Sequence, residues 1–238
     1  MYFFTSDEHY GHRKIIEYTN RPFKSVEEMD ETIIKNHNSI VSNGDITVHA
    51  GDFTLWKNVE GIYRKYINRL NGSHIFLKGS HDYWLKRESN INQIWERNIS
   101  INGTKYYFVV CHYNMRTWHK SHYNSFQLFG HSHGRLLPTG KQHDIGVDNN
   151  QFFPLSANQI VEILKHRPSN PNIVPDKIRE KAFKRIPARE EVIQPIVGYE
   201  TCENCGGYYD PEDGDSKNCN VCKEEYLNKV VKPFTETG

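Results

Sequence analysis

Short apolar runs alternate with stretches of helical period along the first 165 residues. Tyr2 to Thr5 is a β-type run that ends at Ser6-Asp7, and a helix from Arg13 to Tyr18 follows Gly11-His12. Ser25-Val26-Glu27-Glu28 has the capping-box pattern, in which a serine hydroxyl and the glutamate three residues on satisfy free helix N–H groups. Met29, Ile33, Ile34, Ile40 and Val41 continue it at helical spacing. Ile46 to Ala50 predicts a strand. Val59, Ile62, Tyr63, Tyr66, Ile67 and Leu70 predict an amphipathic helix stopped at Asn71-Gly72. A strand from His74 to Leu77 comes next. Ile99–Ile101 and Lys105–Val110 bracket Asn102-Gly103, a hairpin signal. Further strands are expected at Phe126–Phe129 and His143–Val147, and a last helix at Ser156–Leu164. Alternating strands and helices give an α/β domain over residues 1–166.

Beyond Arg167 the texture changes. Pro168, Pro171, Pro175 and Pro187 interrupt any long helix, and Lys and Arg crowd the stretch from Lys165 to Arg189. Residues 167–197 therefore read as a basic, proline-containing linker with a short helix near Lys177–Lys184. Residues 198–238 hold four of the five cysteines. Cys202, Cys205, Cys219 and Cys222 form a C-x2-C, C-x2-C array with glycine after the first pair, which resembles a zinc ribbon with one structural zinc on four thiolates. About 40 residues build little core, so the metal is expected to supply much of the folding energy.

With 30 basic and 29 acidic residues the net charge is +1, so no global field argues for a membrane or nucleic-acid surface. No apolar run approaches the ~18 residues that would span a bilayer. The opening Met1-Tyr2-Phe3-Phe4 reaches Asp7 too soon for a signal peptide, so a reducing cytoplasm is expected, with thiols or metal ligands rather than disulfides.

Chemistry collects at the strand ends. Asp7-Glu8-His9, Gly51-Asp52, Gly79-Ser80-His81-Asp82, Cys111-His112 and Gly130-His131-Ser132-His133 each follow a predicted strand. In a strand alternate side chains share a face, so Asp7 and His9 are expected to point together while Glu8 points away. Carboxylate oxygen and imidazole nitrogen are ligands for hard or borderline divalent metals. Several such ligands beside an uncoordinated histidine read as metal-assisted hydrolysis.

The order Asp-x-His, Gly-Asp, Gly-[polar]-His-Asp, strand-end His and Gly-His-x-His resembles the calcineurin-like metallophosphoesterases, over about residues 1–165. The resemblance implies a four-layer α/β/β/α sandwich. It also implies two divalent metals, of manganese, iron, zinc or nickel. Asp7, His9 and His133 would hold the first, and Asp52 would bridge to a second bound by His112 and His131. His81 would be the histidine that contacts phosphate and assists the leaving group, with Asp82 orienting it. The implied chemistry is in-line attack on phosphorus by a metal-bridging hydroxide. His12 could touch the substrate phosphate.

One position departs from the pattern, because Ser80 stands where the family carries a metal-ligating asparagine. A hydroxyl is shorter and a poorer ligand, so a loose second metal and low activity are expected. His37, His49, His74 and His166 are assigned to structure, and Cys111 to a buried thiol. Trp118, His119 and His122 are read either as pocket wall or as surface aromatics. The expected function is hydrolysis of a phosphodiester, in a nucleotide or nucleic acid. The alternatives are a phosphomonoesterase, acting on protein or small molecules, and a low-activity phosphate-binding regulatory protein. The ribbon leaves room for a protein or nucleic-acid partner.

Overall fold

The structure is a computed structural model describing residues 1–85 and 93–171, together with two short strands, Glu200–Thr201 and Tyr208–Tyr209. The chain divides into two compact units, Met1–Val174 and Pro175–Gly238.

Two four-stranded sheets carry the first unit. In the first sheet β1 (Tyr2–Thr5), β2 (Ile46–His49) and β3 (Ser73–Phe76) run parallel, and β8 (Leu155–Ser156) pairs antiparallel with β1. In the second, β4 (Ile94–Ile101) and β5 (Thr104–Cys111) form an antiparallel hairpin, and β6 (Phe126–Phe129) and β7 (Gln142–Asp144) continue parallel to β5. The expected Asn102-Gly103 turn is present with both residues at positive φ (50° and 80°), as a two-residue hairpin matching the strand twist requires.

The sheets meet over Phe4, Val48, Phe108, Val110 and Leu128, all buried. α4 (Ala157–Lys165) adds Ile160, Val161 and Leu164 to this core. A second core lies on the other face of the first sheet. There α1 (Arg13–Tyr18), α2 (Val26–Ile40) and α3 (Val59–Lys65) pack Ile15, Met29, Ile33 and Ile62 against Phe53 and Phe76. The order so far is helix, sheet, sheet. Of a fourth layer, the described residues show the loop after β5 on the outer side of the second sheet. Gln127 and Gln142, both buried, bond there to the backbone of Tyr113 and Met115.

Local signals worked unevenly. Ser25 Oγ accepts the Glu28 N–H at 3.1 Å, but the Glu28 carboxylate reaches the Lys24 N–H (2.8 Å), so the box is half made. The reciprocal pair occurs instead at Ser156 and Gln159, opening α4. The helix expected from Val59 to Leu70 ends at Lys65 and continues as a 3-10 turn, Ile67–Arg69. β4 begins five residues before its expected start, and β7 is followed by a 3-10 turn, Val147–Asn149.

In the second unit β9 (Glu200–Thr201) pairs antiparallel with β10 (Tyr208–Tyr209). The short basic helix expected near Lys177–Lys184 and the four cysteines Cys202, Cys205, Cys219 and Cys222 lie outside the described residues. Among the described residues no helix is long and apolar enough to cross a membrane.

Candidate metal centre

All five polar motifs follow the C-terminal ends of parallel strands: β1, β2 and β3 in one sheet, β5 and β6 in the other. Open α/β sheets place their ligand sites at such ends. The two sets converge. Asp7, His9 and His133 bring one ligand atom each within 4.8 Å of one another, and so do Asp52, His112 and His131. Asp52 lies between the groups, its Oδ2 3.8 Å from His9 Nε2 and 3.4 Å from His112 Nε2. The groups are also joined by backbone, since His131 N–H donates to both Asp7 oxygens (3.0 and 2.9 Å).

The backbone makes this convergence at a cost. Asp7, His9, Asp52, His131 and His133 all adopt left-handed φ, between 47° and 65°. Residues other than glycine seldom do so, and each such residue costs on the order of 1–3 kcal/mol, held only where surrounding structure overrides it. The expected strand alternation therefore does not place Asp7 and His9. β1 ends at Thr5, and left-handed turns, not strand alternation, orient the pair. Glu8 does face away, with Oε1 2.6 Å from His49 Nδ1.

Two glycines are required by close approach. A Cβ on Gly79 would collide with the nitrogen and Oδ1 of Asp52, and one on Gly130 with Ser6 Oγ and Asp7 Oδ2.

The donor set suits divalent cations. His9 Nε2 and His112 Nε2 are buried and have no hydrogen-bond partner among the described residues. Their other ring nitrogens are engaged, His112 Nδ1 at 2.9 Å from the Ala50 carbonyl and His9 Nδ1 at 3.3 Å from His12 Nδ1. Burial pushes the Asp7 carboxyl up to about 7 and holds His9 well below the usual histidine range. Burial also opposes charge on Asp52, yet His112, the His81 N–H and His9 together keep its carboxyl below the usual range. A bound divalent cation would offset the burial of these carboxylates and take up the neutral imidazole nitrogens.

Two residues that sequence reasoning missed complete the centre. Asp148 Oδ2 lies 2.7 Å from His133 Nδ1, leaving Nε2 for the centre, the carboxylate–histidine pairing common around metals. Arg21, only 4 % exposed, clamps Asp148 bidentately (2.8 Å twice) and donates to the carbonyls of Asp7 and Glu8. Burial lowers His133, but Asp148 and Asp7 outweigh it and raise its pKa. Arg21 and Asp148 are 127 positions apart in the chain, and no local motif marks them.

Asp82 does not orient the His81 ring. Its buried carboxylate accepts N–H groups from Asp52 (2.7 Å), Phe53 (2.9 Å), Gly79 (2.9 Å) and the Trp84 indole (3.1 Å). It ties the β2 and β3 loops together. His81 N–H donates to Asp52 Oδ1 (2.8 Å), and its half-exposed ring faces the mouth with Nε2 3.9 Å from Asp52 Oδ2. Ser80 Oγ donates to both Asp52 oxygens (3.2 and 3.0 Å).

The mouth is a cavity of about 620 Å³ lined by His9, His12, His81, His131, His133 and Arg135, with Ile15, Tyr18, Leu55 and Leu136 as an apolar wall. Trp118 is not part of it. Its indole donates to the Ser125 carbonyl, while His119 bonds Glu96 and Tyr107. Tyr113 is the aromatic that reaches the centre, with its ring 4.8 Å from those of both His112 and His131. Cys111 is a buried free thiol, its pKa raised by burial. His37, His49 and His74 cluster with Glu8 away from the mouth, and burial lowers them to about 4, 3 and 4.

Two paired sheets with carboxylate and imidazole triads at their C-terminal edges define a metal-dependent hydrolase. The chain belongs to the calcineurin-like phosphoesterase family, whose model matches residues 2–194. Membership implies metal-dependent hydrolysis of phosphoesters. The chain is 33 % identical over 167 residues to the uncharacterized protein MJ1445 of Methanocaldococcus jannaschii, covering 67 % of this chain and 89 % of that protein. Its fold is similar to that of the protein of unknown function AQ665 from Aquifex aeolicus, with a TM-score of 0.50 and 20 % identity over 68 % of this chain and 98 % of that one.

Proposed function

We propose that this chain is a binuclear metal-dependent phosphodiesterase acting on a nucleotide or nucleic acid. The observation that carries the binuclear reading is the position of Asp52, within 4 Å of an imidazole nitrogen from each group. Asp7, His9 and His133 would hold one cation, and Asp52, His112 and His131 the other, with Asp52 placed to touch both. When bound, divalent cations there polarise a phosphoryl oxygen and make water a nucleophile near neutral pH.

The chain's own residues supply the rest. Asp148 and Arg21 fix the His133 ring. Asp82 sets the Asp52 turn by accepting its N–H. His81 is at the mouth, where its ring can pass a proton to the departing ester oxygen. His12 stands beside it, ring centroids 6.4 Å apart, and can take up a phosphoryl oxygen. A diester is favoured over a monoester because the mouth is far larger than one phosphate and has an apolar wall for a second substituent.

Parallel assays on bis-nitrophenyl and mono-nitrophenyl phosphate with manganese test this, the diester being cleaved faster. Faster cleavage of the monoester would make the protein a phosphomonoesterase. Ser80 supports a third reading, a phosphate-binding regulator with little turnover. Its hydroxyl donates to Asp52, and it is shorter and a poorer ligand than the amide oxygen it stands in for. No cleavage of either ester, with phosphate still bound, would establish that case.

In the second unit the proposal is a structural zinc on Cys202, Cys205, Cys219 and Cys222. The pairing of β9 with β10, which flank the first two cysteines in sequence, supports it. Elemental analysis after manganese loading should count two cations for the centre and one zinc for the thiolates.

A further inference from the structure

A cleft of about 350 Å³ opens at the other end of the second sheet, among the first residues of β5 and β6. Lys105 precedes His112 by seven residues along β5, about 23 Å of extended chain, so the cleft is separate from the metal centre. Among the described residues its lining includes four lysines and three tyrosines and no acidic residue.

The lysines divide into two kinds. Lys141 is occupied, donating to the carbonyls of Leu164 (2.8 Å) and Arg167 (2.6 Å), and Lys165 pairs with Glu162. Lys105 is exposed and makes no ion pair among the described residues. Lys120 Nζ rests 4.1 Å over the Tyr107 ring. Among the described residues its N–H donors have no hydrogen-bond or ion-pair partner.

The aromatics divide as well. Tyr106 is stacked on Phe126 (5.5 Å, 24°) and Tyr107 is held at its hydroxyl by Glu96, so both are fixed walls. Tyr123 is 77 % exposed on a 3-10 turn, Ser121–Tyr123, bracketed by left-handed Lys120 and Asn124 (φ 58° and 59°). A large exposed ring beside ammonium groups that make no ion pair among the described residues, in a cleft whose neighbouring Glu96 and Glu162 are already engaged by Tyr107 and Lys165, matches one ligand chemistry: a flat base carrying a phosphate.

We propose that this cleft is a second binding site, for a nucleotide unit. Lys105 and Lys120 contact the phosphate, Tyr123 stacks on the base, and the exposed Asn98 amide faces the base edge. The volume, near the lower bound of small-molecule clefts, admits one such unit. The unit can be a free nucleotide or part of a single strand.

The test uses the full chain and fluorescence anisotropy with labelled octathymidylate carrying phosphorothioate linkages, which resist cleavage. The double substitution Lys105→Ala/Tyr123→Ala removes two exposed side chains, so the fold and the rate on bis-nitrophenyl phosphate are unchanged. Affinity for the octamer is expected to fall about tenfold or more, the scale of losing one base stack. The slope of log affinity against log salt should fall by about 0.7 for the lost phosphate contact. For the octamer bound by the parent but not by the double variant, displacement by thymidine monophosphate identifies a free-nucleotide site, and displacement by oligomers alone identifies a strand site. Both support the proposal. A change below twofold overturns it. So does equally tight binding of an abasic octamer, which would mean charge alone, or of an octaglutamate peptide, which would mean an acidic protein partner. The rate on the small diester reads the metal centre separately, so either idea can fail alone.

Discussion

Replacing Asp82 with asparagine separates two roles that the same residue could have. If its carboxylate oriented the His81 ring, Asp82→Asn would act on turnover. The structure gives it other work. Oδ2 accepts the N–H groups of Asp52 and Gly79, while Oδ1 accepts those of Phe53 and the Trp84 indole and a longer one from Thr54 (3.4 Å). An asparagine keeps only one oxygen. Whichever way the amide turns, at least two buried N–H donors then face an NH2 group. An unmade buried hydrogen bond costs about 1–3 kcal/mol, and more where the acceptor was charged, so the loss should be roughly 3–5 kcal/mol. At about 2–4 °C per kcal/mol for a domain of this size, Tm should drop by roughly 10 °C. Because Asp52 sits in a left-handed turn that this carboxylate secures, manganese affinity should weaken as well. Thermal denaturation followed by circular dichroism, with manganese titrated calorimetrically, reads both quantities. A variant with the parent's Tm and manganese affinity but poor turnover would refute the reasoning and return Asp82 to His81.

Other outcomes follow from the same contacts. His81→Ala should retain metal, because the bond into Asp52 comes from the residue 81 backbone N–H, yet lose most activity on esters with poor leaving groups; metal loss, read by elemental analysis, would make His81 a ligand. Ser80→Asn should raise both turnover and occupancy of the Asp52, His112, His131 position; unchanged rates and occupancy would show the hydroxyl suffices. His143 gives a pH test away from the centre. Burial, aided by Arg167, lowers its pKa to about 4, and its Nε2 is buried without a partner among the described residues. A folded value below the unfolded 6.5 means the folded chain binds fewer protons, so this stability is present above pH 6.5 and is lost as pH falls toward 4. Between pH 7 and 5 the parent should therefore lose about 1–2 kcal/mol more than His143→Gln, measured by urea denaturation; parallel pH profiles would show that the imidazole is solvated.

What was legible beforehand was local. Each strand that carries a motif reads from its own few residues, and the Gly-Asp, Gly-x-His-Asp and Gly-His-x-His ends mark where polar side chains leave the sheet. The glycines belong to the same signal, since at Gly79 and Gly130 a side chain would strike the ligand carboxylates themselves. Element ends were less legible where a neighbour decided them. The helix after Val59 gives way to a 3-10 turn although its apolar spacing continues to Leu70.

The order of amino acids alone places carboxylate and imidazole donors at the strand ends, in a succession that one family shares, and with them the chemistry. How those donors are held emerges with folding. The left-handed turns at Asp7, His9, Asp52, His131 and His133, the Arg21–Asp148 clamp behind His133 and the use of Asp82 as an anchor for the Asp52 turn have no local signature. The physical reason is range. A side chain's donor chemistry travels with the residue, whereas its orientation and protonation depend on burial and on partners that packing brings in from more than a hundred positions away.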